Sequence, residues 1–279
     1  MSHSSLPSFR AGARLGPPPP LRQDCALFLD IDGTLLELAP TPQAVHVDAG
    51  LSRLLPRLQQ QLDGAVALVT GRSISDVDRL FAGFPVPIAG QHGCERRDAA
   101  GTLHLHAPDR STMLRLRDLF AAFAARHDGL LLEDKGASLA LHYRQAPGLA
   151  SHVHRTLRDA VASEGDHGYR LEPGKKLVEL RPEGRNKGTA IRDFLREAPF
   201  AGRRPVFVGD DAGDEHGFAV VASRGGLAVK VGPGATRARH RLADVAAVRS
   251  WLAASLAVDG RPPLEAPVAG DPLRVPETR

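Results

Sequence analysis

The sequence predicts an α/β protein with a doubly wound parallel sheet as its core and a smaller α+β unit inserted into it. Two patterns indicate this class. Short apolar runs alternate with segments of helical spacing in the first and last thirds of the chain, whereas the middle third carries several strands in close succession. The length of 279 residues, 42% of them hydrophobic, is sufficient for two such units.

Each element of the larger unit is predicted by an apolar run or by helical spacing. The run CALFL indicates a buried strand over 25–29, and leucines spaced from Leu51 to Leu62 indicate a helix. Further strands are expected at 65–69, 85–90, 205–211 and 227–232, and further helices at 75–82, 187–197 and 216–222. Strands separated by helices pair in parallel, and such sheets bind ligands at the carboxyl ends of their strands.

The inserted unit is predicted from alternating strand patterns in the middle of the chain. Strands are expected at 102–107, 130–134, 138–144 and 176–182, and helices at 112–126 and 148–163. We therefore divide the chain into a core of residues 24–98 and 183–258 and an inserted unit of residues 99–182. The proline-rich segment 1–23 and the segment 259–279 bury little apolar surface, so both are expected to be disordered tails.

Composition narrows the class of partner. The net charge is +4 without a dense Lys/Arg block, and aromatic residues make up only 5%, so nucleic-acid binding is not favoured. The two cysteines, Cys25 and Cys94, are far apart and form neither a disulfide framework nor a zinc pattern. With no secretory segment and no apolar run of membrane length, we expect a cytoplasmic protein with no membrane partner and no obligatory protein partner.

Polar residues collect where the predicted strands of the core end or a helix begins. They are Asp30 and Asp32 in DIDGT, Thr70 and Arg72 in TGR, Asn186 and Lys187 in NKG, and Asp210, Asp211 and Asp214 in GDDAGDE. Converging carboxylates repel one another unless a cation lies among them, and oxygen ligands suit Mg²⁺. The Asp30 carboxylate is a competent nucleophile toward phosphorus. Asp32, two residues further on, is placed to protonate the leaving oxygen and later to activate water.

Each motif also has a purely structural explanation. DIDGT is compatible with a turn at a strand end, and GDDAGDE with an acidic loop at a helix N-terminus. All four motifs occur in order, each at a predicted strand or helix edge, and this favours the chemical interpretation.

Together the four motifs resemble those of the haloacid dehalogenase superfamily of phosphohydrolases over residues 24–256, and the insert resembles its cap domain. The finer pattern is similar to the trehalose-6-phosphate phosphatase family, in GQHGCERR (90–97), LEDKGASLALHYR (132–144), KLVELRP (176–182), GDDAGDEHGFAVV (209–221), AVKVGPGAT (228–236) and DVAAVRSWL (244–252). The resemblance implies hydrolysis of trehalose 6-phosphate with Mg²⁺. Because a site shared by two domains must admit substrate and then exclude bulk water, we also expect the cap to open and close on the core.

The resemblance also implies roles for individual residues. Asp30 would form the aspartyl-phosphate, Asp32 would be the general acid/base, and Thr70 and Lys187 would bind the phosphoryl group. The metal residues would be Asp30, Asp32 through its backbone carbonyl, Asp210 and Asp214. The substrate contacts would be Arg72, Gln91, His92, Gly93, Glu133, Lys135, Arg144, Glu179, Asn186 and Asp211.

Some positions stay open or depart from the family pattern. Glu179 alternates with Val178 and Leu180, so it faces away from them, either toward substrate or toward solvent. His142 is interpreted as an ordinary strand residue. Gly213 stands where the family usually has threonine, which could loosen the acidic loop, and Cys94 stands where a small alanine is usual.

Three other functions remain as alternatives. The first is a phosphatase of the same architecture acting on sucrose phosphate or mannosyl-phosphoglycerate. The second is a receiver-like signalling module, although such a domain would be about half this length and would lack Asp32. The third is a non-catalytic sugar-phosphate sensor, which would normally have lost Asp30 or Asp32, and both are present.

Overall fold

The computed structural model describes residues 16–38, 45–106, 109–165, 168–174 and 176–257. The expected tail at 259–279 and residues 1–15 of the expected N-terminal tail lie outside these ranges.

Twelve strands and seven helices are present in the described residues. The strands are β1 (Cys25–Leu29), β2 (Val66–Val69), β3 (Ile88–Gly90), β4 (Glu95–Arg97), β5 (Leu103–Leu105), β6 (Leu131–Asp134), β7 (Leu139–His142), β8 (Tyr169–Gly174), β9 (Leu177–Pro182), β10 (Arg204–Gly209), β11 (Leu227–Val231) and β12 (His240–Leu242). The helices are α1 (Ala49–Gln61), α2 (Ile74–Leu80), α3 (Arg110–Ala124), α4 (Ala150–Ser163), α5 (Lys187–Phe194), α6 (Glu215–Ser223) and α7 (Val245–Ala257). Within the described part of the chain, none of the helices has the length and apolar character needed to cross a membrane.

The larger sheet confirms the predicted fold class. Its order is β12-β11-β10-β1-β2-β3-β4-β5, and β12 through β3 pair in parallel. The central strands β1, β2 and β11 are buried along their whole length, because helices cover both faces of a parallel sheet. Since β1 has β10 on one side and β2 on the other, the crevice for a ligand opens at the carboxyl ends of these three strands.

The smaller sheet is antiparallel, in the order β6-β7-β9-β8. One face packs on α3 and α4 in a separate apolar core that includes Leu116, Phe120, Leu141, Val153 and Leu180. We call this sheet with α3 and α4 the smaller unit. α3 and α4 do not cover the other face of this sheet. That face carries the polar residues of the middle third of the chain.

The structure corrects two expectations about segments. Residues 16–23 were expected in a disordered tail, but here they pack on α7, where the Leu21 side chain is buried and the Trp251 indole donates to the carbonyl of Pro19 at 3.0 Å. Residues 103–105 were expected in the inserted unit, yet β5 pairs with β4 at the edge of the larger sheet. The strands β4, β8 and β12 were not predicted, because charged residues, proline or glycine interrupt their apolar pattern.

Candidate active site

The crevice brings together the polar residues that follow β1, β2 and β10. Asp30 follows β1 directly, Thr70 follows β2, and Asp210 follows β10. Lys187 is the first residue of α5, and the Phe194 ring at the other end of that helix packs 6.0 Å from the ring of Phe28 in β1. This packing fixes the N-terminus of α5 beside the end of β1.

A buried ion-pair network occupies the centre of the crevice. The Lys187 ammonium lies 2.6 Å from Asp214 Oδ1 and 3.0 Å from Asp30 Oδ1, and all three side chains are at most 5% exposed. Burial raises the pKa of Asp30 to about 7 against the opposing pull of Lys187, and it raises the pKa of Asp214 well above its usual range. Burial alone would lower the pKa of Lys187, but the surrounding carboxylates outweigh it and raise that pKa. The lysine is therefore held charged.

Three of the carboxylates are arranged to share a cation. Ligand oxygens of Asp30, Asp210 and Asp214 all lie within 4.8 Å of one another. Burial, together with Asp214 and Asp211, raises the pKa of Asp210. Gly33 has φ +75°, and a Cβ there would lie 2.2 Å from Asp210 Oδ2, so only glycine lets this loop approach the cluster.

The acidic loop is held by its own hydrogen bonds. The Asp211 amide donates to Asp214 Oδ2 at 2.9 Å, and the Asp214 amide donates to Asp211 Oδ1 at 3.0 Å. The Lys230 ammonium, buried in β11, donates to the Asp210 carbonyl. These contacts hold the loop although Gly213 replaces the usual threonine.

A second ion pair lies beside the first. Arg72 Nε donates to Asp32 Oδ2 at 2.7 Å, and its terminal nitrogen NH2 donates to Asp32 Oδ1 at 2.6 Å. The Thr70 hydroxyl accepts from the Arg72 amide at 3.1 Å, which leaves the hydroxyl proton available to donate. The loop after β2 thus presents one hydroxyl to the crevice and fixes the carboxylate two residues beyond Asp30.

The turn after β3 approaches the same loop. Gln91 and His92 have φ of +45° and +57°, and their amides donate to the carbonyls of Arg72 and Thr70 at 2.8 and 2.9 Å. The His92 ring lies over Gly71, where a Cβ would be 2.8 Å from His92 Nε2. Burial, and then the charge of Lys187, lowers the pKa of His92 to about 4, so this imidazole is neutral at pH 7.

The open face of the smaller sheet carries Glu133 and Glu179. Both align with Ala140 across the sheet, while Val178 and Leu180 point into the apolar core, so Glu179 faces away from them as expected. The Lys135 ammonium donates to Glu179 Oε1 at 3.2 Å.

The structure gives His142 a partner on this face. Its Nε2 lies 2.9 Å from Glu133 Oε2, and this contact is the leading reason that the pKa of Glu133 is lowered. His142 is therefore paired with a predicted substrate residue rather than being an ordinary strand residue alone.

A cavity of about 490 Å³ opens between the two units. Arg72, Asp76 and Arg79 line it from the larger unit, together with His46, and Glu133 lines it from the smaller unit. Its volume is in the range of sites for small molecules, roughly 300–1,000 Å³.

Three residues expected to contact substrate have other positions or partners. Arg144 is exposed and follows the carboxyl end of β7, whereas Lys135 lies near the amino end of that strand. The two residues are therefore at opposite ends of β7. The side-chain oxygen of Asn186 accepts from the Thr189 amide as the N-cap of α5. At Gly93 a Cβ would lie 3.0 Å from the Asn186 carbonyl, so this glycine allows the turn to pack on the start of α5.

Several residues that organise the site were not predicted from sequence. They are Lys230, Glu95 and Ser138. Glu95 Oε1 accepts from the amide of Ile74 at 2.7 Å and from Gln91 at 3.1 Å. They lie in the family-like segments 228–236, 90–97 and 132–144, but no local pattern in these segments indicates partners that lie 20 or more residues away along the chain.

This arrangement suits the transfer of a phosphoryl group to a carboxylate. It combines a buried aspartate beside a lysine, a hydroxyl donor, a carboxylate cluster compatible with a divalent cation, and a second aspartate two residues beyond the first. With the parallel sheet and the smaller inserted unit, the site defines a phosphohydrolase of the haloacid dehalogenase superfamily.

Comparisons with known proteins narrow the class. A family model described as trehalose-phosphatase matches residues 28–247. The trehalose-6-phosphate phosphatase of Escherichia coli strain K12 is 44% identical over 238 residues, covering 84% of this chain and 87% of that protein. The chain belongs to the trehalose-phosphatase family.

Solved structures share the fold. A trehalose-6-phosphate phosphatase related protein superimposes with a TM-score of 0.66 at 28% identity, covering 82% of this chain and 96% of that one. A haloacid dehalogenase-like hydrolase from Bacteroides thetaiotaomicron has a TM-score of 0.61 at 14% identity, covering 82% of this chain and 98% of that one, and supports the fold alone.

Proposed function

We propose that the protein hydrolyses trehalose 6-phosphate to trehalose and phosphate through an aspartyl-phosphate on Asp30. Family membership supports the substrate. The observation that carries the mechanism is the burial of Asp30 at 3.0 Å from Lys187, beside two further carboxylates.

In the proposed first step, a carboxylate oxygen of Asp30 attacks phosphorus and the bond from phosphorus to the sugar oxygen breaks. Asp32 donates a proton to that leaving oxygen. In the second step Asp32 takes a proton from the attacking water, and the bond from phosphorus to Asp30 breaks, which restores the carboxylate. Lys187 and the Thr70 hydroxyl hold the oxygens of the phosphoryl group.

The residues present fit a divalent cation, because three carboxylates converge on one point and oxygen ligands suit hard cations. We propose Mg²⁺, held by Asp30, Asp210, Asp214 and the backbone carbonyl of Asp32. When bound, it would neutralise negative charge on the nucleophile and the phosphoryl group. The Asp32 carboxylate is turned to Arg72 rather than to this cluster, and it must leave that pair to reach the leaving oxygen.

Sugar recognition is proposed for the open face of the smaller sheet. Trehalose offers hydroxyl groups, which need both donors and acceptors. Glu133, Glu179 and Lys135 provide them, and Glu133 also lines the cavity between the units. His92 and Asp211 are proposed to serve the region next to this face, because the charges of Lys187 and Glu179 both act on the pKa of His92 and Asp211 Oδ1 lies 3.7 Å from the Lys187 ammonium.

The test is phosphate release from the purified protein with Mg²⁺. Trehalose 6-phosphate, sucrose 6-phosphate, glucose 6-phosphate and an aryl phosphate are compared, with and without a chelator. We expect strong preference for trehalose 6-phosphate, lost on chelation. Equal release from all four substrates, or preference for another sugar phosphate, would overturn the assignment of trehalose 6-phosphate as the substrate and leave the core mechanism standing. No release from any of the four would favour the alternative of a non-catalytic sugar-phosphate sensor.

A further inference from the structure

Gln91 joins the two units through its side chain, which is 2% exposed. Its amide nitrogen donates to the Lys135 carbonyl at 2.6 Å and to Glu95 Oε1 at 3.1 Å. Its amide oxygen accepts from the Ser138 hydroxyl at 2.8 Å. Because both amide protons are used by protein acceptors, Gln91 has no proton left to donate to a sugar hydroxyl. As a substrate contact, Gln91 is thus limited to the second lone pair of its amide oxygen, and the expected role stays a prediction.

On the side of the larger unit, Gln91 is held by a strained but well-fixed backbone. Two successive non-glycine residues with positive φ persist only where the surroundings determine them. The backbone hydrogen bonds from Gln91 and His92 to the loop after β2 do so here. The backbone therefore holds the Gln91 side chain at a fixed point of the larger unit, next to Thr70 and Arg72.

On the side of the smaller unit, the Ser138 hydroxyl has two acceptors within reach. Gln91 Oε1 lies at 2.8 Å and Glu179 Oε1 at 3.2 Å. A hydroxyl has one proton, so it cannot donate fully to both. While Gln91 receives that proton, more of the acceptor capacity of Glu179 remains for other donors.

We propose that Gln91 is a positioning residue that couples docking of the smaller unit to sugar recognition; this rests on the proposed function. When the units separate, Gln91 withdraws and Ser138 joins Lys135 as a donor to Glu179 Oε1. When they dock, Ser138 turns to Gln91, so Glu179 Oε1 has one donor fewer and accepts more readily from a sugar hydroxyl. The sugar is then recognised best when the phosphoryl site is covered.

Kinetics of Gln91→Leu test the coupling, with Gln60→Leu on an exposed position of α1 as the matched control. We expect kcat/KM for trehalose 6-phosphate to fall roughly 10- to 100-fold, mainly through KM, the scale of losing a buried hydrogen-bond partner. The loss in kcat/KM for trehalose 6-phosphate should be about tenfold greater than the loss in kcat/KM for an aryl phosphate. Equal losses for both substrates, or no loss, would overturn the proposal.

The double variant Gln91→Leu/Ser138→Ala separates this switch from simple structural support. Without the serine hydroxyl nothing from that residue occupies Glu179, so the double variant should recover about threefold or more of the kcat/KM lost in Gln91→Leu. A residue that only stabilises the contact predicts a double variant as weak as Gln91→Leu or weaker, and that result would overturn the switch.

Hydrogen exchange provides a readout that does not depend on the substrate. We expect Gln91→Leu to increase amide exchange in the turn at 135–138 about tenfold without any ligand, and Gln60→Leu to match the wild type. Unchanged exchange would overturn this inference whichever substrate is cleaved. If exchange responds but trehalose 6-phosphate is inert, the proposed substrate fails and the Gln91 contact stands; the kinetic tests are then made with the sugar phosphate that is cleaved.

Discussion

Arg72 holds both carboxylate oxygens of Asp32, at 2.7 and 2.6 Å. The pair is side-on and bidentate, and the Arg72 side chain is only 13% exposed. Such a fork fixes the orientation of a carboxylate as well as its charge. In the proposed mechanism Asp32 must reach the leaving oxygen, so Arg72 determines where the proton donor begins its movement.

Arg72→Lys should therefore impair proton transfer more than phosphoryl binding. Lysine keeps the charge but cannot bind both oxygens. We expect kcat/KM for trehalose 6-phosphate, which reports the step in which the leaving group departs, to fall roughly tenfold or more, with a smaller loss for nitrophenyl phosphate, whose leaving group departs without a proton. The measurement is kcat/KM on both substrates, with Arg196→Lys on an exposed pair as control. Equal losses on the two substrates would contradict the role of Arg72.

Asp30→Asn should abolish turnover on every phosphate ester. An amide cannot form the phospho-enzyme, so we expect at least roughly a thousandfold loss in kcat while circular dichroism stays as in the wild type. Asp63→Asn, at an exposed carboxylate far from the crevice, should retain full activity. Substantial turnover in Asp30→Asn would remove this residue from the nucleophile role.

Lys187→Met should destabilise the fold, because it leaves Asp30 and Asp214 buried without their cation. Breaking a buried pair from one side costs about 3–5 kcal/mol. Urea unfolding in chelator at pH 7 should show this loss. Adding Mg²⁺, or the second substitution Asp214→Asn, should recover part of it. An unchanged unfolding free energy in chelator would show that the lysine does not compensate these acids.

The strands that position this chemistry were predictable from sequence because they are buried on both faces. β1 and β2 are continuous apolar runs, β10 contains one after Arg204, and β11 is interrupted only by Lys230. The carboxyl-end rule then placed Asp30, Thr70 and Asp210 near one another. β4, β8 and β12 were missed because charged residues, proline or glycine interrupt their apolar pattern. The same rule does not extend to the smaller unit, whose sheet is antiparallel.

Residue partnerships across the two units were not predictable. Gln91 bonds Ser138, which lies 47 residues away, and no local pattern selects that pair. Arg144 resembled a family position, yet the register of β7 carries it away from Lys135. The first outcome depends on how the units dock and the second on strand register within the smaller unit, and periodicity and capping rules encode neither.

His92 should make stability depend on pH below neutrality. Its pKa of about 4 in the folded protein lies below the 6.5 of a free histidine. Above pH 6.5 both states are neutral; as the pH falls toward 4 only the unfolded chain binds the proton, so stability is lost across this window. Asparagine tolerates positive φ, so it suits this position. Between pH 6.5 and 4 we expect the free energy of unfolding to fall by about 2 kcal/mol less in His92→Asn than in the wild type. Identical pH profiles in urea unfolding would contradict a neutral buried His92.

The central claim is that the larger unit performs phosphoryl transfer while the open face of the smaller sheet selects the sugar. The most direct measurement is the ratio of kcat/KM for trehalose 6-phosphate to that for an aryl phosphate, in the wild type, Glu179→Ala and the exposed control Glu183→Ala. We predict that the ratio falls at least about tenfold in Glu179→Ala and stays unchanged in Glu183→Ala. A ratio that is the same in all three proteins would contradict the account.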